Sequence, residues 1–282
     1  MPARLGKAYP AMTAPALVLL AHGSTSNQVA EVAHAMRVGI QTARPEVSVH
    51  TAFLDHCPPS GPQVVARIAR SKTTELVFVP MNLSSTFGTD PKILAMVESV
   101  QKTHPKLRIG VARPVGPEAT LLSLVDRRLR TALSAAHAYE LDGLVLSCEG
   151  THDQRSQSLL SRRARQWSLH HKLPVVTATA TGMAPGIATA INSLRGQGRR
   201  HIAVGSLFLA PDEVWMHQAD QAYRAGAIAV SDPLGAEEEL LDIAWGRYAV
   251  AAMDLIDFGI TEAENDDRQT AENDRHLRVL GA

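Results

Sequence analysis

Cysteine is scarce in this chain: Cys57 and Cys148 are the only two among 282 residues. Two thiols without a CxxC pair exclude a disulfide framework and a cysteine-ligated structural zinc, and they fit a reducing cytoplasm. An excess of charge of either sign is missing too, since 28 Lys and Arg balance 28 Asp and Glu. Without a basic run or face, no nucleic acid held through its phosphates is expected as a partner. No apolar run approaches the roughly 20 residues that span a bilayer, so no membrane partner is expected either. Arg4 and Lys7 precede the apolar stretch 14–21 as they would in a secretory signal. That stretch is short, however, and a near copy, "LVLSCEG", stands mid-chain where no signal could be.

What the chain does contain is length and an internal repeat. It exceeds a single domain of roughly 100 to 200 residues, so two domains are the natural expectation. "LVLLAHGSTSNQ" (17–28) matches "LVLSCEGTHDQR" (144–155) at an offset of 127, which sets Glu149 opposite His22 and Gly150 opposite Gly23. "TAFLDHCPP" (51–59) matches "TATATGMAP" (177–185), and "VPMNLS" (79–84) overlies "GSLFLA" (205–210), both at an offset of 126. "ARPVGPEATLLSLVDRRL" (112–129) follows the pattern of "SDPLGAEEELLDIAWGRY" (231–248) at 119. Ordered matches at nearly constant offset indicate a duplication. The expected organisation is an extension over 1–13, a first domain over 14–133, a second over 140–250, and a tail over 251–282, acidic in character.

Within the first copy, short runs rich in Val, Leu and Ala predict strands at 16–21, 47–54, 75–80 and 108–112. Asn27 to Ala43 has Val29, Val32, Ala33, Met36 and Ile40 on one helical face. Near-continuous apolar strands separated by helices imply an α/β fold, with two similar doubly wound parallel sheets. Ligands of such sheets gather beyond the carboxyl ends of the strands. His22, His56, Cys57 and Asn82 lie just past strand ends in the first copy, as do Cys148, Glu149 and His152 in the second. Ser24, Thr25, Ser26 and Asn27 are candidate helix caps, and the free N–H groups there favour an anion such as a substrate carboxylate. The plain alternative is an ordinary capped turn.

In order and spacing, "LVLLAHGS", "VHTAFLDHCPPS", "LVFVPMNLS" and "RIGVARPVGPEATLLSLVDRRL" resemble the sirohydrochlorin and cobalt chelatases, the class II tetrapyrrole chelatases, in their long two-copy form. The resemblance covers about 14–250. It implies insertion of a divalent metal, Co²⁺ or Fe²⁺ and less often Ni²⁺, into sirohydrochlorin or a related carboxylate-rich tetrapyrrole of siroheme or cobalamin biosynthesis. No nucleotide is implied, and the chain would act as a monomer or homodimer. Metallation removes two pyrrole N–H protons, and a neutral imidazole can accept one or relay the metal. His22 matches the family's first active histidine.

One departure matters. Related chelatases usually carry a second histidine in an H-x-x-x-D arrangement, whereas this segment reads "VPMNLSSTFGTDPKI" and keeps only Asp90-Pro91. That second role does not carry over. Glu149, opposite His22, is nominated as the replacement catalytic and metal-handling group, with His56 and Cys57 as alternative ligands. Gly23, Ser24, Asn82, Ser84, Ser85 and Arg155 are candidate substrate contacts, because a polyanionic macrocycle calls for donors and cations. Trp215 is assigned to core packing, His217 and Asp220 to a solvated helix face, and Arg162, Arg163 and Arg165 to an exposed one. The competing readings are a non-catalytic tetrapyrrole- or metal-binding protein and an unrelated enzyme on the same scaffold.

Overall fold

The computed structural model describes residues 14–71, 73–85 and 90–255. The first copy runs β1 (Ala16–Ala21), α1 (Asn27–Ala43), β2 (Val49–Phe53), α2 (Gly61–Ile68), β3 (Glu75–Pro80), α3 (Pro91–Thr103), β4 (Arg108–Val111) and α4 (Leu121–Ala135). The second runs β5 (Gly143–Cys148), α5 (Gln154–His171), β6 (Val175–Thr179), α6 (Ile187–Gly196), β7 (Ile202–Leu207), α7 (Glu213–Arg224) and β8 (Ala229–Val230). A last helix, α8, covers 238–255. The strands form two sheets of order β2-β1-β3-β4 and β6-β5-β7-β8, parallel throughout.

The two central strands, ALVLLA and GLVLSC, are buried at every position, as a sheet covered on both faces requires. On α1, Val29, Ala33, Met36 and Ile40 are buried and Val32 packs beside them, so the expected face is the one that faces the core. The duplication extends to single hydrogen bonds. Phe53 donates to the Pro59 carbonyl and Thr179 to the Pro185 carbonyl, both at 3.0 Å. Leu54 donates to Ala21 at 3.0 Å and Ala180 to Cys148 at 3.1 Å.

Sequence copies and packing units do not coincide. α4 lies within the first copy but packs on β7 and β8 of the second sheet. Gly205 of β7 has no side chain because Trp167 of α5 and Val125 of α4 fill that space; an added Cβ would stand 2.5 Å from one and 2.6 Å from the other. α8 makes the reciprocal crossing. Tyr248 donates to the Pro15 carbonyl at 2.6 Å, Arg247 bonds the Pro114 carbonyl and Glu118, and Arg108 bonds the Leu255 carbonyl. One apolar cluster therefore runs through both domains, from Leu17 and Met36 through Leu124 and Trp167 to Tyr248. Residues 251–255, expected in the tail, are instead helical, with Ala251 and Ala252 buried, because α8 continues along the first sheet. The expected extension 1–13 and the rest of the tail, 256–282, lie outside the described residues. Among the described residues no helix is long and apolar enough to cross a membrane.

Candidate active site

Each sheet reverses its strand order beside its first strand, and there the crossover loops part to leave a crevice. His22 follows β1 and Glu149 follows β5, so the duplication places them at equivalent strand ends. The two ends face each other. A cavity of about 360 Å³ is lined by His22, Ser24, Asn82, Glu149, Phe208 and Asp212, among others. A second, of about 370 Å³, takes in Asp90, Pro114, Gly150 and His152 and shares His22 and Asn82 with the first. His22 thus stands on the partition of one interdomain cleft.

The backbone that carries these side chains depends on two glycines. A Cβ on Gly23 would fall 1.5 Å from the Asp55 carbonyl oxygen, and one on Gly150 would fall 1.9 Å from that of Thr181. Gly150 also holds φ at +110°, which a side chain disfavours. Both glycines let the loop after their domain's second strand press against the strand end.

His22 Nε2 lies 3.3 Å from Asp90 Oδ2, while the other oxygen of Asp90 caps α3 by accepting from the Lys92 N–H at 2.8 Å. The cap therefore fixes the carboxylate that meets the imidazole. Burial pushes the Glu149 carboxyl above its ordinary range, His22 opposes that rise, and Asp212 and Asp90 add to it. Burial likewise raises Asp212, against a hydrogen bond from the Trp215 N–H. One imidazole among three carboxylates is a place for divalent cations and protons. It is not a ready-made cage, because among the described residues only Asp126, His170 and His171 bring three ligating atoms within 4.8 Å of one another.

The anion cradle expected at the start of α1 is present and filled by the protein itself. Ser24 Oγ donates to Glu213 Oε2 at 2.5 Å, Thr25 Oγ1 donates to Oε1, and the Ser26 N–H reaches Oε1 at 3.1 Å. These donors hold the Glu213 carboxyl down to about 2. Glu213 comes from the second domain, so this contact latches the cleft.

The remaining candidates divide. Asn82 Oδ1 accepts from the N–H groups of Ser84 and Ser85 at 2.8 and 2.9 Å, closing the turn after β3. Buried Ser84 accepts from the Gly150 N–H at 3.1 Å, and Ser85 Oγ lies 3.3 Å from Ser156 Oγ; both are struts between the domains. His56 is exposed on the first cavity, and the Cys57 thiol donates to the Ser24 carbonyl at 3.0 Å. Cys148 is fully buried, its thiol pushed up to about 12. Arg155 is exposed on the first turn of α5 and lines neither cavity, and among the described residues no lysine or arginine lines either of them. Trp215 is half-buried, donating to Ser206 Oγ at 3.1 Å, and His217 is exposed as expected. Arg163 is not on an exposed face: it turns into the domain junction, bonding the Pro117 carbonyl at 2.5 Å and approaching Glu118. Asp212 and Glu213 escaped the sequence reading, although the repeat of 79–84 at 205–210 marks the loop immediately before them as a strand end equivalent to that of Asn82.

The duplicated α/β architecture recurs in solved chelatase structures. Residues 16–132, the first copy, match the CbiX family model. SirB from Bacillus subtilis with Fe3+ is similar in structure at TM-score 0.68 and 18% identity, over 85% of this chain and 96% of that one. The sirohydrochlorin chelatase SirB from Bacillus subtilis subspecies spizizenii in complex with cobalt gives 0.69 and 15%, over 86% and 96%. A multi-domain protein from Deinococcus radiodurans, with structural similarity to chelatases and two additional domains, gives 0.55 and 15%, over 84% of this chain and 55% of that one. At these identities the likeness establishes the fold. No curated protein sequence matches the chain significantly.

Proposed function

We propose that the chain is a metal chelatase that inserts Co²⁺ or Fe²⁺ into sirohydrochlorin or a related carboxylate-rich tetrapyrrole, on a route to cobalamin or siroheme. The metal is a substrate: M²⁺ replaces two pyrrole protons, and both protons must leave. The observation that supports this reading best is the convergence of His22 and Glu149 from equivalent strand ends, with Asp90 on the imidazole. Asp90 Oδ2 stands 3.3 Å from Nε2 of His22, which leaves Nδ1 to take a proton or relay the metal. Glu149 receives the second proton, a task suited to a carboxyl raised by burial. Without a preformed three-ligand cage the ion is held only in passing, as transfer to a macrocycle demands.

Each cavity alone is at the small end of the roughly 300–1,000 Å³ typical of ligand pockets. A macrocycle therefore needs both, and the domains must part at the Glu213 latch to admit it. Ser24, Thr25 and the Ser26 N–H would then be free to take a substrate carboxylate in place of Glu213. A second reading, a tetrapyrrole or metal carrier without turnover, draws on the missing second histidine and on the lack of lining cations among the described residues. An anaerobic absorbance titration with sirohydrochlorin, with and without Co²⁺, separates the two. Metallation well above the uncatalysed rate is the expected result. Saturable binding without acceleration identifies a carrier, and an unchanged spectrum removes tetrapyrrole from the reading.

A further inference from the structure

Away from the cleft, the seam between α4 and α5 buries a carboxylate. Asp126 shares a cavity wall with Leu122 and Trp167 and is only 6% exposed. Its Oδ1 is 2.5 Å from His171 Nε2 and accepts from Trp167 Nε1 at 3.4 Å, while Oδ2 meets Arg130 at 2.5 Å. His170 stands edge-on to His171 with ring centroids 4.9 Å apart. One ligating atom from each of Asp126, His170 and His171 lies within 4.8 Å of the other two.

We propose that Asp126, His170 and His171 form a second divalent-metal site that pins α4 of the first copy to α5 of the second. Metal–nitrogen and metal–oxygen bonds of roughly 2.0–2.2 Å put neighbouring ligands about 3 Å apart and opposite ones about 4 Å apart. Small side-chain rotations bring all three donors onto one ion. Two imidazoles and one carboxylate make a borderline donor set, which suits Zn²⁺, Co²⁺, Ni²⁺ or Fe²⁺ and not Mg²⁺ or Ca²⁺. Trp167 and Arg130 orient the carboxylate, the role that hydrogen-bonded partners of metal ligands play elsewhere. Both histidines lie in the last turn of α5, where the helix dipole favours positive charge. A cavity of about 790 Å³, lined by Asp126, Gln166, Thr131 and His170, gives an ion access and leaves room for water as further ligands. The site is independent of the chelatase reading, since it needs no tetrapyrrole and shares no residue with the cleft.

The test is Co²⁺ titration of the metal-free full-length chain, followed by the visible absorption of the bound ion and by equilibrium dialysis. Wild type and His22→Ala are expected to bind one Co²⁺ in a nitrogen–oxygen environment, with a melting temperature that rises saturably with metal. His170→Ala, at an exposed position that folding tolerates, is expected to weaken this binding at least about ten-fold and abolish the rise, and His171→Ala to do the same. Tetrapyrrole metallation by His170→Ala should match wild type, which keeps this site apart from the cleft. If His170→Ala and His171→Ala bind Co²⁺ as tightly and in the same number as wild type, the cluster is a structural hydrogen-bond network only and the proposal is overturned. Loss of binding in His22→Ala alone would overturn it equally.

Discussion

On the proposed chelatase reading, a single imidazole faces two proton transfers. His22→Ala should slow metallation by roughly 10²–10⁴-fold, the usual contribution of a positioned base, with tetrapyrrole affinity little changed; stopped-flow absorbance decides this. Asp90→Asn should cost less, about 10- to 100-fold, because it loosens the imidazole without removing it. Glu149→Gln should lower the rate while His56→Ala and Cys57→Ala stay within a few-fold, since one side chain is exposed at the rim and the other spends its thiol on the Ser24 carbonyl. The pH profile gives the sign. A base acts deprotonated, so activity should fall as pH drops through the raised Glu149 pKa, placing the acid limb above the ordinary carboxylate range. Asp212→Asn removes a negative neighbour that raises Glu149 and should move that limb to lower pH; a limb that stays in place assigns it to another group. The placement of His22 and Glu149 at equivalent strand ends was legible because the repeat aligns them. Asp90 was visible only as the remnant of a motif, since its partnership with His22 arises from a capping turn that sequence spacing does not display.

Elements were the most legible level. Strands expected at 16–21 and 75–80 and the helix expected at 27–43 fall where the apolar pattern puts them, because the first strand is buried throughout, the second from Leu76 on, and the helix on one clean face. What joins the elements was not legible. Glu213 opens α7 and looks like an ordinary first-turn acid of that helix, yet its carboxylate serves the N-terminus of α1 in the other domain. The contact has a definite pH signature. The Glu213 carboxyl falls from its ordinary 4.5 to about 2 on folding, so its stabilising effect is complete above the ordinary value and lost as pH falls from about 4.5 through 2. Melting temperatures of wild type and Glu213→Gln should therefore differ at neutral pH and converge below about pH 2. Small-angle scattering of Glu213→Gln should show a larger radius of gyration if this contact holds the cleft closed. Identical scattering and melting at pH 7 would mean that the latch carries no weight.

For the whole molecule, the repeat promised two domains, and the packing delivers two sheets that cannot be separated at the repeat boundary. A sequence offset records which segments descend from one another, but not which sheet a terminal helix covers. α4 ends the first copy, yet Leu121, Leu124, Val125 and Leu129 are buried in a cluster that includes Trp167, Ala203 and Leu207 of the second. α8 closes the first sheet through Tyr248, Arg247 and the Leu255 carbonyl. Each sheet thus depends on a helix from the other half, and the cleft is framed by elements that fold together. Thermal unfolding of the intact chain should accordingly be a single transition. Trp167→Ala, which empties the junction of α4, α5 and β7, should destabilise the whole chain by about 3–5 kcal/mol and not one domain alone. The sharper consequence concerns fragments. Residues 14–133 expressed alone would keep the first sheet but lose α8 from one face and leave the apolar side of α4 with no sheet to cover. Circular dichroism and amide-proton dispersion should show that fragment to lack a cooperatively folded state, and adding 134–282 should restore one. A fragment that melts cooperatively on its own would show that the exchanged helices are not needed for folding, and the two copies would then be independent domains after all.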